Sequence, residues 1–382
     1  MSQKLEGKPK DASQEQSDFV LPLPTQLMAP CPSTERAKPV KLDYNFRHQL
    51  AYSNHKSVFL IDAKTQSHLS GSAEVYGEHL YPVSAVSFTP SGYYVSSGDQ
   101  SGHVRIWDVV QPEHITKYNY DVFNGAILDI AWNENDRLII GGDGKEEKVK
   151  GILWHTGTTI GEFPGHSKQV NAVAHSKQRP FKAFTASDDQ TVNVYSNIPY
   201  VFQLSLKDHQ RFISDVSCNN TMLFSAGFDG LVNMYDISKI GKVENNSRSF
   251  IQAHDAAIMS MAVMEDQFCT ASLDKSVKIW DIATKQCIHT YQFTNTIDHQ
   301  QMGVCWNQHS SGIYSVGLDG SLHFMDPRQK DPMLKNVIKK WHNHLKPVTA
   351  LSTQINTSIS SGSAVKGDKS SCYLCSILDC KL

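Results

Sequence analysis

Long apolar runs are missing from this chain. No stretch of its 382 residues approaches the ~20 consecutive apolar residues that a membrane helix needs, and the N-terminus is polar where a signal peptide would be hydrophobic. Net charge is nearly absent as well: 36 Lys and Arg against 38 Asp and Glu leave −2, too little of either sign to draw the chain onto nucleic acid or an anionic membrane. The eight cysteines do not argue otherwise, because Cys218, Cys269, Cys287 and Cys305 lie in apolar, strand-like contexts where reduced thiols act as small hydrophobes. The expectation is a cytosolic or nuclear protein with neither nucleic acid nor membrane among its partners. On that reading the glycosylation-type patterns at Asn219, Asn245 and Asn356 are chance matches. Catalytic patterns are equally scarce. No Ser-His-Asp set or carboxylate pair stands out. Gly141-Gly-Asp-Gly-Lys145 has the wrong spacing for a phosphate loop and is followed by a strand, not a helix. Cys372 and Cys375 would face opposite sides of a strand, with no second Cys or His pair to complete four zinc ligands. His342 and His344 could share a strand face, but His344 already has a place in the repeat pattern described below. No cofactor, no metal and no enzymatic activity are expected.

What the chain does have is a repeat. Ala271–Asp281 reads Ala-Ser-Leu-Asp-Lys-Ser-Val-Lys-Ile-Trp-Asp: a strand end, a tight turn bearing an Asp, and a second strand closing on Trp280-Asp281. Ala253-His254 lies upstream, with Ile258 four residues after the histidine. A buried turn Asp needs a partner, a histidine leading into the same sheet supplies an N–H, and the Trp shields the pair from water. Equivalent third strands follow at Ser57–Asp62, His103–Asp108, Gly151–His155, Thr191–Tyr195, Leu231–Asp236, Ser276–Asp281 and Ser321–Asp326, with a degenerate eighth at Ser371–Ile377. Most neighbours are spaced by roughly 40–47 residues, the WD-repeat period. The leading histidine recurs as His79/Val83, His166/Val170, His209/Ile213, His254/Ile258 and His344/Val348. The turn Asp recurs six residues before the aromatic position at Asp189/Tyr195, Asp229/Tyr235 and Asp274/Trp280, and Asp319 keeps that spacing before Met325. The full set is thus expected in units four to six and a partial one elsewhere. The fold expected is all-β: a WD-repeat β-propeller of seven blades with an extra degenerate repeat, eight repeat units being countable. A propeller must close to avoid exposed sheet edges, so the terminal units compete for closure or one is left spare. Residues 1–38, rich in Ser, Gln, Pro and Lys, are expected to form a flexible tail with one apolar patch at Phe19–Leu23. Residues 39–382 then make up the propeller.

Between the repeats, the chain resembles the actin-interacting protein 1 family. The stretches that carry the resemblance are Pro90–Asp99 with Arg105–Asp108, Leu128–Trp132, Arg179–Asp189, Ile198–Phe202, Asp208–Phe212 and Asp298–Gly303 before Cys305-Trp306, within about Val40–Ser363. The resemblance implies a protein of the cytoplasmic actin cytoskeleton, with actin filaments and cofilin/ADF as partners, that assists cofilin in filament disassembly. A general WD-repeat scaffold for a different complex is the alternative. Members of the family resemble two linked seven-bladed propellers, and the repeats here account for one. In the family, acidic and aromatic residues on one face of the first propeller are implicated in engaging cofilin-decorated actin, and the matching positions are Glu146, Asp188, Phe202 and Phe212.

The residues themselves sort these four. Asp189 keeps the six-residue spacing to Tyr195 and so belongs with His166, which leaves Asp188 pointing out of the turn, free for a partner or merely supporting the turn. Phe212 precedes the core position Ile213, so strand alternation sends it to the opposite side, where an exposed ring is an anchor. Phe202 shares its strand face with Leu204 and Leu206, which points to packing between blades. Glu146 lies in a charged stretch, Lys145–Lys148, that reads as a solvated turn.

Overall fold

The computed structural model describes residues 33–341, apart from 63–66, 69–73, 112–114, 134–136, 177–178, 180, 197, 242–247, 294–296, 308–311 and 329–338. Seven antiparallel sheets follow one another along the chain, at residues 43–76, 83–121, 127–153, 170–206, 213–252, 258–292 and 301–341. We call them blades 1 to 7. Each is made of strands consecutive in the chain, and each packs its inner strands against those of the blades before and after it. The protein is a seven-bladed β-propeller. The first seven sequence units are these blades. The eighth, with His342, His344, Cys372 and Cys375, lies outside the described residues, as does Phe19–Leu23. Among the described residues no helix is long and apolar enough to cross a membrane.

A sheet sandwiched between two others must be apolar on both faces, and the middle strands have that character. Lys182–Ser187 and Gln49–Asn54 are buried along their whole length. The outer strands Thr116–Asp121 and Arg248–Gln252 instead alternate between half-buried and exposed residues. Clusters of apolar side chains join one blade to the next, as where Phe184, Val192 and Val194 of blade 4 meet Ile213, Val216 and Leu223 of blade 5. Each fully buried Val, Leu, Ile or Phe stabilises by roughly 1.5–3 kcal/mol. The ladder hydrogen bonds return far less each, because water replaces them in the unfolded chain. The joints between blades therefore hold the ring. They are close: a Cβ on Gly98 of blade 2 would stand 2.5 Å from Ile127 Cγ2 of blade 3. Not every apolar expectation holds, however. Cys269 and Cys305 are buried and Cys218 is half-buried, but Cys287 is exposed, because it opens the outer strand Cys287–Gln292 of blade 6.

In blades 2, 4, 5 and 6 a histidine–aspartate pair pins the strands at one end of the blade, which we call the upper rim. His254 Nδ1 lies 2.7 Å from Asp274 Oδ2, and its Nε2 lies 2.7 Å from Thr270 Oγ1, which also accepts from Trp280 Nε1 at 3.2 Å. His166 meets Asp189 and Thr185 at 2.9 and 2.7 Å, and His209 meets Asp229 and Ser225 at 3.0 and 2.9 Å. The aromatic at the third-strand position does not always cover the pair, as Trp280 does. Tyr195 OH donates to the Pro164 carbonyl at 2.8 Å and Tyr235 OH to Asp208 Oδ2 at 2.8 Å. Blade 2, expected to be partial, holds a complete set: His79 joins Asp99 Oδ2 at 2.9 Å and Ser97 Oγ at 2.6 Å, and Trp107 Nε1 donates to the same Ser97 Oγ at 2.7 Å. The fixed six-residue rule missed it because Asp99 ends its strand, two places ahead of the usual turn position.

Among the described residues the ring closes between blades 1 and 7 without exchanging a strand. Val40 N donates to the Met302 carbonyl at 2.9 Å, and a side chain on Gly303 would run into the Val40 carbonyl, so only glycine admits the first strand there. Val40, Tyr44 and Leu50 pack with Met302, Tyr314 and Val316, the rings of Tyr44 and Tyr314 being stacked 6.0 Å apart. Ahead of this joint, Ser33 N donates to the Ser53 carbonyl of blade 1 at 3.1 Å, and Thr34 Oγ1 to the Leu318 carbonyl of blade 7 at 2.6 Å. Residues 33–38 thus run across the upper rim as a strap over the seam.

Candidate functional site

The upper end of the axis opens into a cavity of about 820 Å³. Residues of the strap wall one side. The other side is walled by Asp143 of blade 3, Asn171 and Asp188 of blade 4, and Phe212 and Phe228 of blade 5. Two of the four sequence candidates, Asp188 and Phe212, therefore share one mouth.

Asp188 and Asp189 divide their roles as the spacing implies. Asp189 turns inward: its Oδ2 accepts from Ser167 N at 3.1 Å as well as pairing with His166, and its Oδ1 accepts from Thr191 Oγ1 at 2.6 Å. Burial would push the Asp189 carboxyl up, but the hydrogen bonds from His166 and Thr191 outweigh it and hold the group below the ordinary carboxylate value. Asp188 faces the mouth and is half-buried. It is less free than the sequence suggests, because Asn171 Nδ2 donates to its Oδ1 at 2.6 Å and also to the Ile213 carbonyl of blade 5 at 2.7 Å. The turn of blade 4 is thereby tied to the first strand of blade 5.

Phe212 is 41% exposed. Its ring meets Phe228 edge-on at 6.1 Å, and Lys168 Nζ stands 5.2 Å from its centroid. The Phe228 N–H donates to the Phe212 carbonyl at 2.8 Å, fixing the two aromatic residues side by side. Glu146 belongs to the loop between Arg137–Gly142 and Val149–Leu153, on the same rim. It is exposed and has no hydrogen bond or ion pair among the described residues, while its neighbours Asp143 and Lys148 approach to 3.4 Å.

Phe202 is elsewhere, and the reading of its packing needs correction. A bulge sets Tyr195 opposite Phe202 but Val194 opposite Leu204. Residues directly opposite share a face, whereas Val194 and Tyr195 face opposite ways. Phe202 thus lies on the other face from Leu204 and Leu206. It is 39% exposed and meets the Tyr195 ring at 5.9 Å, near the start of an outer strand that begins at the end opposite the rim. It does not line the mouth.

Several rim residues escaped the sequence reading. Asp143 and Gly144 lie in the stretch set aside as a false phosphate loop. Asn171, Lys168 and Phe228 matter through contacts across blades that no local pattern announces, though Phe228 directly precedes the turn Asp229.

Comparison with known proteins agrees with this architecture. The family model described as "WD domain, G-beta repeat" matches residues 71–108, 157–196, 201–236 and 245–281. WD repeat-containing protein 1 of Xenopus tropicalis is 35% identical over 317 residues, which are 82% of this chain and 51% of that protein. Actin-interacting protein 1 of Drosophila melanogaster is 32% identical over 331 residues, 85% of this chain and 52% of that protein. WD repeat-containing protein 1 of Rattus norvegicus is 34% identical over 310 residues, 80% and 49% of the two chains. The chain thus spans about half the length of these relatives. On its repeats, its seven-bladed ring and this similarity, the chain is a WD-repeat β-propeller that is similar over most of its own length to actin-interacting protein 1 and WD repeat-containing protein 1.

Proposed function

We propose that this chain is an actin-binding protein that engages cofilin-decorated filaments and promotes their disassembly, in the cytoplasm, at the actin cytoskeleton. The observation that carries this reading is the convergence of Asp188 and Phe212 on one mouth, in a chain whose relatives include one named for its interaction with actin. An exposed aromatic ring beside a carboxylate combines an apolar anchor with a polar partner at its edge, the arrangement typical of binding hot spots. Glu146 adds a negative charge on the same rim. Phe202, facing another way, contributes to the blade and not to the contact. The mechanism is differential binding: the rim holds a filament subunit better in the geometry that cofilin imposes, and the bias loosens contacts between subunits. No nucleotide chemistry is involved.

Co-sedimentation tests this directly. The protein should pellet with filamentous actin when cofilin is present. Failure to pellet under either condition sinks the proposal and leaves the general scaffold reading in its place. Within a positive result, Phe212→Ala weakens binding by roughly tenfold, the loss of a ~1.4 kcal/mol anchor, while Phe202→Ala leaves it unchanged.

A further inference from the structure

The inner strand of every blade passes the axis at the same level, and bulges fix which residue it presents there. In blades 2 to 7 the residue just past the bulge is Ala85, Asp129, Ala172, Asp215, Ser260 and Gly303. In blade 1 the equivalent is Lys41, three residues before Tyr44 as Ala85 is three before Phe88. Six of the seven blades thus present either a small residue or Asp, and blade 1 alone presents a cation. Lys41 Nζ lies 3.1 Å from Asp129 Oδ2 of blade 3 and 3.6 Å from Asp215 Oδ1 of blade 5. All three side chains are 10–13% exposed. Each carboxylate is also held by the following blade: Asp129 Oδ2, the oxygen nearest Lys41, accepts the Val173 N–H of blade 4 at 2.9 Å, and Asp215 Oδ2 accepts the Met261 N–H of blade 6 at 2.8 Å. Lys41 lines both the upper cavity and a lower one of about 840 Å³, and so separates them.

We propose that Lys41 is a charge lock on the closed ring: the first strand delivers one ammonium into the axis, where it offsets the negative charge of two aspartates that blades 3 and 5 cannot bury alone. The argument is one of sign and geometry. Two carboxylates that both stand within 4 Å of one nitrogen repel each other strongly in a site with so little water. Their anchoring N–H groups belong to blades 4 and 6, so five blades, 3 to 6 and, across the axis, 1, are tied through one side chain. The same segment closes the seam, where Val40 N donates to the Met302 carbonyl. The plug and the closure of the ring are then a single event.

The other titratable groups facing this site are Asp43, two residues along the same strand, and the thiols of Cys269 and Cys305. Burial pushes both thiols up, so they stay neutral. Burial raises the Asp43 carboxyl and the Asp129 charge raises it further, so Asp43 is coupled to this site; the triple variant described below keeps Asp43 but lacks the Asp129 charge and so separates its contribution. Burial raises Asp129 even with Lys41 beside it, and the loss of the ammonium raises it further.

The test is thermal unfolding of the full chain across pH. Lys41→Met, close in volume but uncharged, should lower Tm by roughly 6 °C at about pH 8. A carboxylate whose folded pKa is raised favours the folded state when protonated, so the deficit should shrink to less than half at about pH 5. Replacing both aspartates in that background, Lys41→Met with Asp129→Asn and Asp215→Asn, should restore most of the lost Tm and remove the pH dependence, since Asn Oδ1 still accepts the Val173 and Met261 N–H groups. Should the single variant not fold at all, folding of the triple variant supports the lock. A deficit that is the same at both pH values, a single variant as stable as wild type, or a triple variant no better than the single overturns it.

Discussion

Replacing either aspartate of the Ser187-Asp-Asp189 turn removes one carboxylate, yet the two changes should differ sharply. Asp189→Ala strips a side chain that is 9% exposed and leaves His166 Nδ1, Ser167 N, Thr191 N and Thr191 Oγ1 without their acceptor. His166 is 1% exposed, so water does not readily replace the carboxylate there. One buried donor left unsatisfied costs about 1–3 kcal/mol, and several donors lose their acceptor here. A net cost of about 3 kcal/mol is therefore expected, which for a ring of this size lowers Tm by about 5 °C. Asp188→Ala removes a half-buried group held by one amide, and Asn171 keeps its bond to the Ile213 carbonyl. Its cost should stay under about 1 kcal/mol, or about 2 °C. Differential scanning fluorimetry or circular dichroism on the two purified variants decides the matter. Acid gives a second handle. The folded pKa of Asp189 is depressed, so its contribution is present above the ordinary carboxylate pKa and lost as pH falls below it. The Asp189→Ala deficit should accordingly narrow in that direction. An Asp188→Ala variant that melts well below Asp189→Ala would refute the assignment of the two turn positions and the rim geometry built on it.

Two further outcomes follow from buried groups away from the rim. Burial raises the Asp43 carboxyl to about 6, against hydrogen bonds from Phe88 N at 2.7 Å, Tyr44 N at 2.8 Å and Ser87 Oγ at 3.1 Å. A raised carboxyl stabilises the fold when protonated and loses that contribution as pH rises through about 6. Asp43→Asn, which keeps an acceptor for Phe88 N, should thus raise Tm by a few degrees near pH 8 and leave it unchanged near pH 5. In blade 2, Ser97→Ala deprives His79 Nε2 and Trp107 Nε1 of their shared hydroxyl, and a loss of about 2 kcal/mol is expected in urea unfolding. No measurable loss there would mean that the Asp99 set is ornamental.

The fold was legible in the sequence because its most regular device is local. A histidine, a turn aspartate and an aromatic at fixed offsets announce a blade, and Asp189, Asp229 and Asp274 all pair with the expected histidines. The rule failed where the same chemistry is reached from a different backbone position, as with Asp99, whose usual turn slot is filled by Ser101 donating to it at 2.6 Å. Strand alternation placed Phe212 correctly and misplaced Phe202, since one bulged residue reverses every assignment beyond it. Contacts across the axis were beyond reach of any local pattern. Lys41 stands 88 residues from Asp129, and nothing near either residue signals the other. One clue lay in plain view: a charged residue on the innermost strand of a blade has no solvent to turn to, so Lys41, Asp129 and Asp215 each called for a partner.

The seam between blades 1 and 7 has a mechanical consequence. In a propeller that shares a strand across its closure, prying the ring apart means unzipping a sheet. Among the described residues here no strand spans the gap, and one backbone bond, Val40 to Met302, joins the first strand to the last blade. The molecule behaves as a split washer, clipped by side chains and by the strap that lies over the cut. Pulling on the two sides of the seam should open it in one short step and leave each sheet intact. Joining the ends by a linker and cutting the chain between two other blades should move the weak point without altering the ring.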